Sequence, residues 1–529
     1  MMMPRSVSAA LADAARTAHG LHVVEDDGRS SWLPYEELHA ESLRIAGALR
    51  DRQLAAGDRV ALLVPEVGGF IRAFFGITAA GLVPMPLCPP GQAGDLDTFA
   101  QQSQHILTAG RANAVVSTRQ VEDLLRTTAP VLNVDDLRSG RSIERHADVP
   151  LAAPALLQFT SGSTAAPKGV VLTHANLHAN ISAIVGAEGL NVQPGDVGVS
   201  WLPLYHDMGL IGMLLSSMYT RNTLVAMSPV LFLKRPTAWL DAISSHRGTV
   251  SFAPPFAYEL CVRRVKASQI AALDLSCWRV AGCGAEPIRP GVLRSFADHF
   301  APAGFRASSF VASYGLAEHT LAVTLARGEP AIDRATRLVG CGGPFGGHEL
   351  RIVDADGAPL AERRVGSIVA RGPSVMTGYF ENAPATDEAV RDGWLHTGDL
   401  GFVAGGQLYV CGRKKDLIIR QGRKYHPADL ESSIADVPGL RLTAAVVFAV
   451  SSADQQDDVV AVLEARATQA AEAAELVRGR VRETAGLNID RVVIVPPGTI
   501  PRTTSGKVRR AETRERYQAG TLTAAPADR

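Results

Sequence analysis

The chain has 529 residues, of which 46% are hydrophobic and 20% charged, as in ordinary globular proteins and unlike disordered or fibrous chains. This length exceeds what one hydrophobic core supports and predicts roughly two to four domains. Lysine plus arginine and aspartate plus glutamate both number 53, so no global field attracts nucleic acid or an anionic membrane, and any anion site must be local.

The cysteine pattern and the apolar segments indicate the cellular compartment of the protein. The six cysteines are scattered without a C-x-x-C pair, which argues against a zinc cluster or disulfide framework and favours reduced thiols. The N-terminus lacks a long apolar stretch behind its charges, so we expect no secretory signal. Residues 73–94 carry no charge, but four prolines argue against a membrane helix and predict a buried strand running into a turn. We therefore predict a cytoplasmic protein without a membrane span.

Helical and strand-like patterns alternate through the first part of the chain. Residues 36–53 have helical spacing, with Leu38, Ile45 and Leu49 on one face. Short apolar runs predict strands at 60–64, 155–160, 197–202, 223–228, 249–253 and 277–282. Thr173 is placed to cap a helix whose apolar face comprises Leu177, Ile181, Ile184 and Val185. This alternation predicts an α/β fold with substantial parallel sheet.

The texture of the sequence changes towards the C-terminus. Short strands with glycine turns at 349–353, 367–371 and 408–411 predict a small β-rich subdomain over about 335–412. After the charged segment 412–416, strand patterns at 444–450, 458–463 and 492–495 and a helical pattern at 468–484 predict a compact α+β domain. We thus predict a large N-terminal domain at 1–412, a small mobile C-terminal domain at 413–517 and a disordered tail at 518–529.

The most informative segment reads Leu-Gln-Phe-Thr-Ser-Gly-Ser-Thr-Ala-Ala-Pro-Lys-Gly over residues 157–169. An apolar run ends at Thr160, hydroxyl and glycine residues continue to Thr164, and Lys168 precedes the next apolar run. Backbone amides, hydroxyls and an ammonium group placed in this way suit a polyphosphate. A polar surface turn has the same composition, and the Gly-Lys-Ser/Thr of a P-loop is absent. The choice depends on the segments that follow.

Three further segments carry groups that suit a nucleotide. Tyr314 and Glu318, in Ser-Tyr-Gly-Leu-Ala-Glu-His-Thr, offer a ring for stacking and a carboxylate for magnesium. Asp399 lies in a glycine-flanked turn and suits the hydroxyls of a ribose. Lys507, on a basic hydroxyl-rich loop, could deliver a cation to a site on the other domain. Taken alone, each segment is also typical of a core tyrosine, an Asp-Gly turn or a solvated surface.

In this order and spacing, the segments resemble the adenylate-forming superfamily of acyl-CoA synthetases, non-ribosomal peptide synthetase adenylation domains and luciferases. The match covers roughly 155–510, and the N-terminal third also fits. Within the superfamily the chain looks most like the fatty acyl-AMP ligases, on the runs 81–90, 201–212, 284–287, 314–318 and 422–427. The Tyr-His-Asp-Met-Gly run at 205–209 and the Pro-Pro pair at 89–90 are more particular to that branch than to typical CoA ligases.

The resemblance implies ATP and Mg²⁺ as cofactors and assigns roles to individual residues. The phosphates of ATP would lie against Thr160, Ser161, Gly162, Ser163, Thr164 and Lys168. The adenosine would lie against Gly284, Ala285, Glu286, Tyr314, Gly315, Asp399 and Arg413. Glu318 and Thr164 would hold Mg²⁺, and Lys507 would reach the α-phosphate. His206 would lie near the substrate carboxylate, with a pocket drawn from Trp201, Met208, Met213 and Phe252.

The implied reaction has two steps. A fatty or related carboxylic acid is activated to acyl-AMP with release of pyrophosphate, a step that depends on alignment and charge neutralisation. The acyl group then passes to the phosphopantetheine thiol of an acyl carrier protein. In this superfamily the small domain turns about a hinge between the two steps, here at Lys415.

Departures from the family pattern leave alternatives open. Ala165 stands where the family usually has Gly, and Cys283 where Asn is common. The insertion that fatty acyl-AMP ligases usually carry is not evident between Glu318 and Asp399, so free CoA is an alternative acceptor. An amino-acid-activating domain would need an anion in the pocket, for which Asp207 is the candidate. A non-catalytic relative that binds nucleotide or carrier protein is the remaining alternative.

Overall fold

A computed structural model describes residues 5–90, 96–160, 167–420, 423–435, 437, 440, 442–450, 457–465, 470–502 and 508–522. The strands are β1 (Gly20–Val24), β2 (Ser30–Pro34), β3 (Arg59–Leu63), β4 (Val83–Pro86), β5 (Ala114–Ser117), β6 (Val131–Asn133), β7 (Pro154–Thr160), β8 (Lys168–Thr173), β9 (Val197–Ser200), β10 (Thr223–Met227), β11 (Val250–Ala253), β12 (Val280–Cys283), β13 (Phe310–Gly315), β14 (Ala322–Arg327), β15 (Gly343–Pro344), β16 (Glu349–Val353), β17 (Gly366–Arg371), β18 (Gly378–Tyr379), β19 (Val390–Arg391), β20 (Trp394–Ala404), β21 (Gln407–Arg413), β22 (Ile418–Arg420), β23 (Arg423–Tyr425), β24 (Ala444–Val450), β25 (Asp458–Glu464) and β26 (Arg491–Val495).

Helices separate most of these strands. They are α1 (Val7–Ala14), α2 (Tyr35–Asp51), α3 (Val67–Ala79), α4 (Leu96–Ala109), α5 (Arg119–Glu122), α6 (Val134–Arg138), α7 (His174–Val185), α8 (Ser216–Tyr219), α9 (Pro229–Lys234), α10 (Thr237–Ser245), α11 (Pro255–Arg264), α12 (Ala267–Ile270), α13 (Pro290–Phe300), α14 (Ala383–Ala389), α15 (Pro427–Ala435), α16 (Ala470–Ala485) and α17 (Arg510–Gln518). A π-helix covers Met208–Leu215 and leads directly into α8.

Two sheets in the first part of the chain are built around parallel strands. A nine-stranded sheet has the order β15-β14-β13-β12-β11-β9-β10-β1-β2, and its central pairs from β13 to β1 are parallel. A four-stranded parallel sheet has the order β4-β3-β5-β6. Helices connect successive strands, so the predicted α/β fold is confirmed.

Smaller sheets, in which all pairs except β25–β26 are antiparallel, account for the remaining strands. β7, β8 and β18 form one of them, and β16, β17, β20, β19 and β21 form another. The second sheet matches the predicted β-rich texture after residue 348. Beyond residue 417, β22 pairs with β23, and β24, β25 and β26 form a three-stranded sheet.

The start of α7 follows from its local sequence. The Thr173 hydroxyl accepts a hydrogen bond from the Asn176 amide at 3.1 Å, and the Asn176 side chain accepts one from the Thr173 amide at 3.0 Å. This capping box satisfies two amides that the first turn of a helix leaves free. The predicted apolar face, Leu177, Ile181, Ile184 and Val185, is buried as expected. The helix that follows the predicted phosphate loop is therefore fixed at its first residue.

The prediction of a strand within 73–94 was wrong for its first part. Residues 73–79 complete α3, whose side chains Phe70, Phe74, Phe75 and Ile77 are almost fully buried. A helix buried on all sides has no polar face, so its sequence reads like a buried strand. The prolines begin only at Pro84, inside β4, and therefore do not interrupt the helix.

The C-terminal segment has its own apolar clusters. One gathers buried residues of α15, α16 and β25, including Leu430, Val477 and Ala461, and another gathers Val446, Phe448 and Val495. Every residue of both clusters lies beyond residue 417. This separation supports the predicted boundary near 412, which stays a prediction.

The predicted disordered tail was wrong for residues 518–522. Gln518 completes α17, and Leu522 packs against the Phe448 cluster. The Thr521 amide donates to the Arg516 carbonyl at 2.9 Å, which closes the end of the helix. Residues 523–529 lie outside the described part of the chain. Within that described part, no helix is both long and apolar enough to cross a membrane.

Candidate active site

A cavity of about 1180 Å³ opens where strands of the nine-stranded sheet end. The cavity lies beside the ends of β11, β12 and β13, and residues of the β20–β21 sheet and of the turn at 414–416 also line it. Ligands of α/β proteins bind at such carboxyl ends of parallel strands. The predicted site residues that line this cavity are Thr160, Lys168, His206, Met208, Phe252, Ala285, Glu286, Tyr314, Gly315, Glu318, Asp399, Arg413 and Lys415.

One part of the cavity wall is formed by the facing ends of β7 and β8. Thr160 is the last residue of β7, Lys168 is the first of β8, and the two are register partners. The predicted phosphate residues Ser161, Gly162, Ser163 and Thr164, and also Ala165, lie outside the described residues. The Lys168 ammonium lies 4.9 Å from the centre of the Tyr379 ring. A cation at this distance from an aromatic face is attracted to it.

Glu318 is held by a residue that sequence reasoning missed. The Tyr379 hydroxyl donates a hydrogen bond to Glu318 Oε1 at 2.8 Å. Burial, followed by the Glu318 charge, raises the pKa of Tyr379 above its usual range, so the hydroxyl remains a donor. Tyr379 comes next to Lys168 and Glu318 because β18 pairs with β8.

The Glu318 environment fits a magnesium ion that is shared with a phosphate ligand. Among the described residues, no group of three or more His, Cys, Asp or Glu side chains could hold a metal by itself. Mg²⁺ in nucleotide sites usually takes one or two carboxylates and completes its shell with water and phosphate oxygens. One carboxylate, Glu318, lines the cavity together with Lys168, which is consistent with that mode of binding.

Asp399 lies at the centre of a second cluster. The Tyr314 hydroxyl donates to Asp399 Oδ2 at 2.7 Å, and Arg413 Nε lies 3.5 Å from Asp399 Oδ1. The β20–β21 pairing places Asp399 directly opposite Arg413. The Asp399 amide donates to the Thr397 hydroxyl at 3.1 Å. The prediction that Asp399 lies in a turn was wrong, because the residue lies inside β20. The carboxylate is therefore held at the cavity wall by two neighbours, Tyr314 and Arg413.

Burial sets the protonation of Tyr314. Its side chain is only 9% exposed, and burial together with the Asp399 charge raises its pKa well above the usual value. The phenol therefore stays protonated and keeps donating to Asp399. This bond fixes the ring as part of the cavity wall.

The segment that follows β12, residues 284–286, packs closely against β13 and extends to the cavity. A Cβ atom on Gly284 would lie 2.2 Å from the Ser313 hydroxyl, so only glycine fits there. The predicted site residue Gly284 does not line the cavity, whereas the next residues, Ala285 and Glu286, do. Ala285 has a φ of +69°, a conformation that costs a non-glycine residue about 1 kcal/mol. Cys283 is fully buried, which raises the pKa of its thiol.

The apolar side of the cavity begins at the π-helix. His206, Met208 and Phe252 line it as predicted, together with Gly212 and Leu321. Asp207 Oδ1 accepts a hydrogen bond from the Met208 amide at 2.7 Å and so caps the π-helix. π-helical turns are rare and often lie at functional sites. This arrangement places a histidine beside an apolar recess.

Two residues of the predicted acid pocket do not line this cavity. Trp201 stacks on Phe232 with ring centres 3.9 Å apart, in a buried aromatic cluster. Met213 lines a separate cavity of about 30 Å³. Gly212 and Ile184 line both this small cavity and the large one. The prediction for these two residues was wrong because an apolar run does not reveal which of its side chains turn towards the core.

The predicted catalytic lysine, Lys507, and the predicted hinge, Lys415, both belong to the C-terminal part of the chain. Lys507 lies outside the described residues, whereas its neighbours Arg502 and Val508 form a bridge. The buried Glu464 accepts hydrogen bonds from the Gly498 and Ile500 amides at 3.0 and 2.7 Å and thereby fixes the approach to this segment. Lys415 lines the cavity, and desolvation together with the neighbouring Arg413 charge lowers its pKa.

Comparison with protein families agrees with this geometry. Residues 11–380 match the AMP-binding enzyme family model. The chain belongs to the AMP-binding enzyme family. Residues 415–526 match a second model, the AMP domain of Disco-interacting protein 2-like proteins. The predicted resemblance and the prediction of a ligase are confirmed by this match together with the named relatives that follow.

Relatives of this AMP-binding enzyme carry names from both acceptor classes. The chain is 37% identical to a putative acyl-CoA synthetase of Caulobacter vibrioides, over 92% of this chain and 91% of that one. It is 33% identical to the medium-chain-fatty-acid–[acyl-carrier-protein] ligase JamA of Moorena producens, over 93% and 90%. It is also similar to a solved fatty acyl-adenylate ligase from work on the E. coli and L. pneumophila enzymes. That match has 36% identity, a TM-score of 0.90 and 98% coverage of both chains.

Proposed function

We propose that the protein uses ATP to convert a fatty or related carboxylic acid into acyl-AMP, and then transfers the acyl group to the phosphopantetheine thiol of an acyl carrier protein. The observation that carries this proposal is the set of side chains that line the cavity. Lys168, Glu318 and Asp399 face the same space as the apolar recess of Met208 and Phe252. A polyanionic nucleotide and an apolar acid therefore have complementary walls within one cavity.

The nucleotide is oriented by two groups of residues on the cavity wall. Lys168 and Thr160 attract the phosphates, and Asp399 accepts hydrogen bonds from the ribose. Arg413, beside Asp399, compensates its charge and contacts the nucleotide from the junction with the C-terminal segment. Glu318 would hold Mg²⁺, which would supply positive charge against the phosphates.

The first step is an in-line substitution at phosphorus. A carboxylate oxygen of the acid attacks the α-phosphorus of ATP, the bond to the bridging oxygen of the β-phosphate breaks, and pyrophosphate leaves with that electron pair. Both reactants are anions, so alignment and cations provide the acceleration. His206 borders the acid at the mouth of the recess. Lys507 supplies the cation at the α-phosphate.

The second step forms a thioester. The thiol sulfur attacks the acyl carbon of the mixed anhydride, the thiol proton is lost, and AMP departs with its phosphate oxygen. Similarity to an acyl-carrier-protein ligase and to a fatty acyl-adenylate ligase supports a carrier protein as acceptor. The hinge at Lys415 lets the C-terminal domain withdraw Lys507 between the two steps.

Free CoA is a second candidate acceptor because the chain between β14 and β15 is short. The connection between β14 and β15 is a short hairpin in which Ile332 bridges Val339. The Asp333 carboxylate closes its tip by accepting from the Thr336 amide at 2.9 Å. This described segment leaves no room for the insertion that fatty acyl-AMP ligases usually carry. Similarity to a putative acyl-CoA synthetase points the same way.

One reaction separates the two acceptors. The protein is incubated with ATP, Mg²⁺ and octanoate, and receives either a holo-acyl carrier protein or CoA; mass spectrometry then identifies the thioester. We expect the octanoyl-carrier protein as the main product. Octanoyl-CoA in its place would establish the second candidate, and failure to form AMP with either acceptor would refute the proposed function.

The acid recess predicts an effect of substitution at Gly212. A Cβ atom there would lie 2.9 Å from Leu321 Cδ2, and both residues line the cavity. Gly212→Leu is therefore expected to narrow the recess and to lower kcat/KM for long acids by about tenfold or more, while short acids change less. Exchange rates with acetate, octanoate and palmitate measure this profile. Gly479→Leu, at an open site on α16, is the matched control. An unchanged chain-length profile would show that the acid does not bind beside Gly212.

A further inference from the structure

We propose that Tyr379 is a positioning residue that holds both the carboxylate of Glu318 and the ammonium of Lys168 for the adenylation step. The inference rests on the proposed function, because the proposed function is what assigns magnesium to Glu318 and the phosphates of ATP to Lys168. It depends on one side chain with two different contacts. The hydroxyl of Tyr379 binds Glu318, and the ring attracts Lys168.

The contact with Glu318 involves backbone as well as side chain. The Tyr379 hydroxyl donates to Glu318 Oε1 at 2.8 Å, and the nearby Met376 amide donates to the Glu318 carbonyl at 2.9 Å. Glu318 itself lies in a single 3₁₀ turn, Ala317–His319, which gives its side chain little support. Hydrogen bonds to a charged group are among the stronger ones in proteins. Segment 376–379 therefore decides where the carboxylate points.

The contact with Lys168 depends on strand pairing. Tyr379 pairs with Val170, and the Phe380 amide donates to the Gly169 carbonyl at 2.8 Å. These bonds hold the ring beside the first residue of β8, with the Lys168 ammonium 4.9 Å from the ring centre. The ring face restrains the lysine without consuming its charge, because a cation–π contact leaves the ammonium able to bind an anion.

Tyr379 is itself held in place. Its amide donates to the Thr386 hydroxyl at 2.9 Å, and that hydroxyl donates to the Asn382 carbonyl at the start of α14. A Cβ atom on Gly378 would lie 2.8 Å from Thr386 Cγ2, so the turn packs closely against α14. The tyrosine is therefore a fixed support for two other side chains.

The arrangement has a consequence for charge. Lys168 and Glu318, both within the described part of the chain, form no ion pair with each other, and Tyr379 contacts both of them. In a direct ion pair, Lys168 and Glu318 would neutralise each other. The ammonium would then bind phosphate less well, and the carboxylate would bind magnesium less well. The tyrosine orients each charge and leaves each free for its ligand.

Three variants test the two contacts separately. Tyr379→Phe removes the hydroxyl and keeps the ring, and Tyr379→Leu removes both. Tyr409→Phe removes a hydroxyl from a tyrosine of β21 that stacks on Phe402 outside the cavity, and serves as the control. Isothermal titration measures ATP affinity with EDTA and with increasing Mg²⁺, and exchange assays give KM for Mg²⁺ and for ATP. Thermal unfolding reports whether each variant is folded.

The hydroxyl and the ring should affect different constants. For Tyr379→Phe we expect an apparent affinity for Mg²⁺ about tenfold weaker, with ATP affinity in EDTA within about twofold of the wild type. For Tyr379→Leu we expect the same Mg²⁺ defect and also an ATP affinity in EDTA about threefold to tenfold weaker. A merely structural role would lower both affinities together and would not be rescued by phenylalanine.

Two results would overturn the inference. Wild-type Mg²⁺ dependence of Tyr379→Phe would remove the role of the hydroxyl, and equal ATP affinity of the Phe and Leu variants in EDTA would remove that of the ring. If Tyr379→Leu does not fold, Tyr379→Met takes its place. Failure of the proposed function is distinguishable, because it would abolish acid-dependent exchange in the wild type while the binding experiments still report on Tyr379.

Discussion

Substituting Lys507 with alanine is expected to lower the rate of acid-dependent ATP–pyrophosphate exchange by about 10²–10³-fold and to leave ATP affinity within about threefold of the wild type. The reason is electrostatic. The attacking carboxylate approaches an anionic α-phosphate, and negative charge on the phosphoryl oxygens must be balanced when the two meet. A cation that contacts only the reacting phosphate contributes to the transition state more than to binding.

The measurement combines a rate with an affinity. Exchange of labelled pyrophosphate into ATP gives the rate, and titration calorimetry gives the affinity. Lys234→Ala removes an exposed lysine at the end of α9 and serves as the control. Exchange at the wild-type rate in Lys507→Ala would refute the role of Lys507, and a loss of rate explained entirely by lost ATP binding would assign this residue to ground-state binding.

Substituting Asp399 with asparagine is expected to raise KM for ATP by about 30–100-fold. Asparagine has nearly the same shape and keeps one oxygen to accept from the Tyr314 hydroxyl, so the wall of the cavity should survive. The substitution removes the charge that faces Arg413 and one of the two acceptors available to a ribose. The loss should therefore fall on nucleotide binding and not on folding.

A deoxyribose analogue makes this test sharper. If Asp399 binds ribose hydroxyls, the wild type should discriminate between ATP and 2′,3′-dideoxy-ATP, and Asp399→Asn should lose most of that discrimination. Asp274→Asn, an exposed aspartate that binds Ser276, is the control. Equal discrimination in the wild type and in Asp399→Asn would show that the carboxylate binds something other than the ribose.

Much of the fold could be predicted because its signals are local. Thr173 and Asn176 form their capping box across one turn, and the strands after it are short apolar runs between polar turns. The helix α3 was missed because it is buried on every side, so neither a polar face nor its length distinguished it from a strand. The tail was misjudged because its sequence is mostly polar and small, and the packing of Leu522 on the Phe448 cluster leaves no local pattern.

The candidate site was predictable where the chemistry is carried by motifs and unpredictable where it depends on pairing. Asp399 and Arg413 belong to recognisable motifs, and a hairpin brings them together. Tyr379 meets Lys168 only because β18 adds to β8, two short strands far apart in sequence. Trp201 belongs to a recognisable run but turns into the core, because its ring packs on Phe232. Side-chain direction at such positions follows from packing that no local pattern encodes.

The most direct test of the account is ATP–pyrophosphate exchange by the wild-type protein with a panel of carboxylic acids. We predict exchange that requires both Mg²⁺ and an acid, is greater with octanoate or palmitate than with acetate, and does not occur with amino acids. Exchange that is independent of any acid, or that occurs only with an amino acid, would contradict the assignment of the apolar recess. Absence of exchange with every acid, in a protein that still binds ATP, would contradict acid activation altogether.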